Sequence, residues 1–170
     1  TANQIMIFST NMASLGMGSF PTPATFTQFA ISIKPDTLGK VLWTKVNPYP
    51  DGNVTLSVGA VGDGFFGVFS KEKVQWWGYS TLTGEKLWGP SAPETSLHMY
   101  GTSAKVYNGK LYSSDSIGAG GQITCYDTKT GTVIWSKQSE AMGNEGYWPN
   151  TPVSIATIAD NKLYIYSDEH

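Results

Sequence analysis

Asp36-Thr-Leu-Gly39-Lys-Val-Leu-Trp43, Thr81-Leu-Thr-Gly84-Glu-Lys-Leu-Trp88 and Thr128-Lys-Thr-Gly131-Thr-Val-Ile-Trp135 are three versions of one phrase. In each, a glycine closes a polar turn, and a tryptophan follows four residues later after an aliphatic residue. Trp43 and Trp88 are 45 positions apart, and Trp88 and Trp135 are 47 apart. A period of this size, carried by strand-forming sequence, predicts the blades of a β-propeller.

Working outward from the glycines, the second and third repeats align at a constant offset of 47: Gln75 with Gln122, Tyr79 with Tyr126, Gly84 with Gly131 and Trp88 with Trp135. Upstream, Asp63-Gly64 matches Asn108-Gly109, and Asp160-Asn161 repeats the pattern. Such pairs between extended runs predict tight hairpins, because both central residues of a type I′ turn need positive φ. The third repeat parses into an inner strand over about 102–107, a second over 110–115, a third over 122–127 and an outer one over 132–137. The first repeat begins at its second strand (Ile5–Ser9), followed by Phe29–Lys34 and Lys40–Lys45. The last shows strands near 153–158 and 163–167.

The repeats run approximately over 1–47, 48–94 and 95–139, with a partial unit over 140–170. That makes three to four blades of four antiparallel strands in one all-β unit. A closed ring needs at least four, so the chain reads as a fragment of a larger propeller. Blade faces that expect neighbours make self-association an expectation as well.

Composition agrees. Charged residues are 14% of the 170, aromatics 13%, and there are 19 glycines. Few charges, many glycine-bounded turns and abundant aromatic residues describe an all-β protein. The net charge of −2 gives no footprint for nucleic acid. No run of 18 apolar residues offers a membrane-spanning helix. The single Cys125 permits neither an internal disulfide nor a thiolate metal site within one chain; between Thr124 and Tyr126 it reads as a buried, inert strand residue.

The phrase Tyr126-Asp127-Thr-Lys-Thr130-Gly131-Thr-Val-Ile134-Trp135 resembles the repeat of pyrroloquinoline-quinone-like (PQQ-like) propellers. Ser80 stands where that repeat has Asp, and Leu38 where it has Thr. The resemblance implies that Trp43, Trp88 and Trp135 each dock across to the following blade and that Gly39, Gly84 and Gly131 end the tight turns. The family holds quinone-dependent alcohol and sugar dehydrogenases, an outer-membrane assembly lipoprotein and many secreted or surface-attached proteins. It therefore implies an extracellular, cell-surface or periplasmic location. It leaves three functions open: a non-catalytic scaffold for a protein or carbohydrate partner, a dehydrogenase fragment using PQQ with calcium, or a surface-layer or filament subunit. The dehydrogenases use a vicinal disulfide, which one cysteine cannot supply. The scaffold, without a cofactor and without catalysis, is the expectation.

Candidate site residues follow from loop placement. His98 and Tyr100 lie where an outer strand returns to the next inner strand, towards the central mouth. The loop over 142–152 is long for a blade connection and mixes Glu145 and Asn150 with the adjacent aromatics Tyr147 and Trp148. Stacking on Trp148 with hydrogen bonds from Glu145 and Asn150 would suit a sugar or planar ligand. Asp168-Glu169-His170 is the densest ionisable cluster and a weak candidate for a divalent metal; a solvated loop end is the plainer reading. Trp76 and Trp77 are strand neighbours, so they are expected to point to opposite faces and fill two different interblade spaces.

Overall fold

A computed structural model describes residues 4–10, 12, 24–50, 54–95, 102–115, 121–138 and 153–167. They form thirteen strands in four antiparallel sheets. The first sheet holds β1 (Ile5–Thr10), β2 (Thr25–Ser32) and β3 (Val41–Pro48). The second holds β4 (Leu56–Gly62), β5 (Phe65–Ser70), β6 (Gln75–Ser80) and β7 (Lys86–Trp88). The third holds β8 (Thr102–Tyr107), β9 (Lys110–Asp115), β10 (Gln122–Asp127) and β11 (Val133–Gln138). The fourth is the pair β12 (Val153–Ala159) and β13 (Lys162–Ser167). Strands follow chain order within each sheet, and the inner strand β4 packs beside β8, as β8 does beside β12. The chain is a propeller segment.

The hairpin glycines and asparagines do what their φ angles require. Asp63 and Gly64, Asn108 and Gly109, and Asp160 and Asn161 all have φ between 49° and 78°, the left-handed pairing of a type I′ turn. The expected strands are present, with two shifts in the first sheet. There β2 ends at Ser32 and β3 runs on to Pro48, because a short 3-10 turn at Pro35–Thr37 lengthens the connection between them. The chain takes seven residues to pass from Ser32 to Gly39, against four from Ser80 to Gly84.

Two cores alternate with the sheets. Between the first and second lie Phe26, Ala30, Trp43, Phe66, Trp77 and Tyr79; between the second and third lie Phe65, Phe69, Trp76, Trp88, Leu111 and Tyr126. Trp76 and Trp77 thus serve opposite faces of β6, as strand alternation demands.

Each core is fastened at one end by an indole. The Trp43 Nε1–H donates to the Thr81 carbonyl at 2.9 Å, and the Trp88 Nε1–H to the Thr128 carbonyl at 2.7 Å. Gly84 and Gly131 lie under these rings so closely that a Cβ on either would sit 2.5 Å from indole carbon. Both glycines also have φ near +70°, so a side chain is excluded twice over. Across the first of these contacts Lys45 pairs with Glu85. Burying one tryptophan between sheets contributes up to about 4–6 kcal/mol by area. Trp135 departs from the expectation of three equivalent berths. It is 40% exposed and packs on Tyr112 of its own sheet. No Thr-Gly turn of the fourth sheet stands among the described residues to receive it.

Candidate functional site

The ends of the two cores opposite the tryptophan contacts are built differently, and the difference creates a cleft. In the second sheet β7 stops at Trp88, where Gly89 (φ +124°) turns the chain tightly against Trp77. The segment then returns across β6. Ser91 N–H donates to the Trp76 carbonyl and Glu94 N–H to the Val74 carbonyl, each at 2.9 Å. Glu94 is thereby delivered into the gap between the second and third sheets. Its Oε1 accepts from Trp76 Nε1–H at 3.0 Å and from Tyr126 Oη–H at 2.7 Å. Burial beside this carboxylate pushes the Tyr126 hydroxyl far above the usual phenol range, so it stays a donor. A carboxylate closes this interface.

Among the described residues no carboxylate is placed equivalently at the first. β3 runs straight on to Pro48, and Tyr49 N–H goes to the Ala24 carbonyl at 2.9 Å. The register identifies the counterparts. Ala30 pairs with Trp43 as Gly78 does with Trp88 and Cys125 with Trp135. Counting from these, Gln28 of β2 stands where Trp76 stands in β6, and Tyr79 where Tyr126 stands in β10. Gln28 is fully buried, and its Oε1 accepts from Asn47 Nδ2–H at 2.9 Å, while its Nε2 has no partner. The Tyr79 hydroxyl, on a residue only 3% exposed, has no hydrogen bond among the described residues. Burial raises its pKa to about 12, which keeps it protonated and able to donate.

Tyr79, and Asn47 to which Gln28 is bonded, border an open cleft of about 430 Å³; Gln28 itself does not line it. Phe26, Tyr49, Trp77 and Tyr79 give it aromatic walls, Asn47 and Gln75 give it amides, and Lys73 and Lys86 stand at it with no carboxylate paired to either among the described residues. The combination is an apolar slot with the Tyr79 ring in its wall and two cations beside it. Such a slot suits the recognition of an anionic group on an apolar body. A second cleft, about 410 Å³, lies between the third and fourth sheets against Trp135, Tyr112 and Leu163.

None of the expected ligand-binding residues can be placed. His98, Tyr100, Glu145, Tyr147, Trp148 and Asn150 lie outside the described residues, as do Asp168, Glu169 and His170. Among the described residues no three histidine, cysteine or carboxylate side chains gather. Cys125 is fully buried between strands, and burial pushes its thiol pKa up. This arrangement was missed in the sequence for a physical reason. The equivalence of Gln28 and Trp76 is hidden by the longer turn of the first sheet, although that of Tyr79 and Tyr126 is plain at offset 47.

No family model matches the sequence, and no curated protein matches it. Among solved structures, BamB from Moraxella catarrhalis superposes with a TM-score of 0.49 at 18% identity, over 84% of this chain and 43% of that one. The computationally designed Ika8 protein superposes with a TM-score of 0.46 at 14% identity, over 85% of this chain and 40% of that one. The chain spans less than half the length of either structure.

Proposed function

We propose that this propeller segment is a non-catalytic binding scaffold that presents its interblade cleft and its loops to a partner protein. The observation that supports this most is the open end of the first interface. It couples aromatic walls and two lysines, unpaired among the described residues, to sheets held by the Trp43 contact. A preformed slot on a fixed frame binds without the ordering penalty of a mobile one. In keeping with the PQQ-like character of its repeats, we place the protein outside the cytoplasm. The loop with Glu145, Tyr147, Trp148 and Asn150 is proposed to widen the contact surface.

Arrays of peptides and glycans test the reading. A saturable ligand is expected whose binding is lost in Gln75→Trp, which blocks the mouth of the cleft, but kept in Gln75→Ala, which loses the same bond to the Ser91 carbonyl. Ligands that bind the blocked variant as well as the parent would contradict a role for the cleft. Carbohydrate rather than peptide ligands would move the partner to the other class that the repeat family implies.

A further inference from the structure

We infer that the free edge of β1 is a strand-addition site, where an extended segment of a partner protein, with a serine between apolar or β-branched residues, pairs antiparallel as the inner strand of the first sheet. The inference rests on the scaffold reading and names how the scaffold holds its partner. The other three sheets each begin with an inner strand, β4, β8 or β12, paired to the strand that follows. The first sheet begins at β1, whose far edge is unpaired among the described residues. The registers make β1 the counterpart of β5 and β9. Ser9 pairs with Gln28, Phe69 with Trp76 and Ser114 with Ile123. Gln28, Trp76 and Ile123 each lie two residues before the one that faces the repeat tryptophan.

One side chain indicates what the edge meets. The Ser114 hydroxyl donates to the Ser103 carbonyl of the inner strand β8 at 3.2 Å. The Ser9 hydroxyl holds the same position in the first sheet; its oxygen is buried and has no partner. Buried polar groups in native proteins nearly all find a partner, and leaving one without is destabilising. In the third sheet that partner is a backbone carbonyl of the adjoining strand, and a strand laid along β1, about 4.8 Å away, brings one to Ser9. The edge itself is undefended. Ile5-Met-Ile-Phe-Ser-Thr10 has neither charge nor proline, whereas the outer strands β3, β7 and β11 carry Lys45, Lys86 and Lys137. Alternate residues of β1 turn their N–H and C=O groups to the open side, and a bare edge of this kind is a template for pairing. The inner strands define the occupant. Opposite the Ser9 position each has a serine: Ser57 faces Phe69, Ser103 faces Ser114 and Ser154 faces Tyr166, within Leu-Ser-Val, Thr-Ser-Ala and Val-Ser-Ile. A second copy has none of these three to give, because each is paired in its own sheet.

Calorimetric titration of the 170-residue chain with the end-blocked peptide Thr-Ser-Ala-Lys-Val-Tyr, the sequence of β8, tests this beside the same peptide N-methylated at every residue. Saturable one-to-one binding is expected, weakened at least about tenfold by N-methylation, which removes the donors of the ladder. Hydrogen exchange should slow in β1 when the peptide binds. Ser9→Ala is expected to weaken binding about fivefold without lowering the melting temperature, because its hydroxyl has no partner in the free chain. Ser114→Ala should leave peptide affinity unchanged. No saturable binding, equal affinity for the two peptides, slowed exchange in a strand other than β1, or indifference to Ser9→Ala would overturn the strand-addition site. Slowing in β1 that rises with protein concentration alone would overturn the partner assignment and make a second copy the occupant. Such failures are separable from failure of the scaffold reading, which shows instead as ligands indifferent to Gln75→Trp.

Discussion

At the scale of single residues, the tryptophan and the glycine it covers act as one unit, and the three repeats carry that unit in three states of completion. Trp43 rests on Gly84 and Trp88 on Gly131, whereas Gly39 has open space where a Cβ would point and Trp135 is 40% exposed. Trp43→Ala should therefore destabilise by about 3–5 kcal/mol, as buried aromatic truncations do. Trp135→Ala should destabilise by under about 1.5 kcal/mol, since it leaves no comparable cavity. Urea denaturation of the two variants checks the ordering. Gly84→Ala meets both a left-handed φ and the Trp43 ring, and should be clearly worse than Gly39→Ala, which meets the φ of +81° alone, about 1–2 kcal/mol.

Tyr79 adds a pH dependence of known sign. Its folded pKa, about 12, lies above the unfolded value near 10. The stabilisation linked to its protonated form is complete below pH 10 and is lost as pH rises towards 12. Alkaline unfolding should thus be less steep in Tyr79→Phe than in the parent, by up to one proton in the linkage slope. Stability curves followed by circular dichroism from pH 9 to about 12 measure that slope.

At the scale of elements, the length of one strand decides whether an interface is closed. β7 has three residues and then turns at Gly89, so its trailing segment returns with Glu94; β3 has eight and runs on to Pro48. Much of this was legible beforehand. The Thr-Gly turns, the left-handed hairpin pairs and the opposed Trp76 and Trp77 are local signals, and local chemistry fixes them. The site was not legible. Tyr79 and Tyr126 match in the sequence, and they differ in what reaches each across an interface. Loop composition directed attention instead to residues 142–152, because long aromatic loops are the usual carriers of binding. Trp135 was read as equal to its two counterparts because the sequence phrase is the same; its exposure depends on the neighbouring sheet, which the phrase does not contain.

At the scale of the whole molecule, stability should fall off from the middle sheet towards both edges. Every residue of β5 is buried, and β6 is buried at four of its six positions, while β1 alternates between exposed and half-buried. In a stacked-repeat architecture each unit draws stability from its neighbours, so a sheet flanked on both sides opens last. Native-state hydrogen exchange should find the greatest protection in β5 and β6 and the least in β1 and β13. Uniform protection across all four sheets would contradict an arc of blades stabilised pairwise.

The claim on which the site depends is that the first two interfaces share the tryptophan–glycine contact, while a carboxylate holds the tyrosine hydroxyl in the second alone among the described residues. Thermal melting of Tyr79→Phe beside Tyr126→Phe compares them directly. Tyr126→Phe removes a hydrogen bond to a charged acceptor, so its stability should fall by about 1.5 kcal/mol or more. That corresponds to a drop of roughly 3–6 °C for a chain of this size. Tyr79→Phe removes a hydroxyl at the open cleft with no hydrogen bond among the described residues, and should melt at the parent temperature or slightly above it. Equal losses in the two variants would contradict the account, since they would mean that the Tyr79 hydroxyl already has its acceptor.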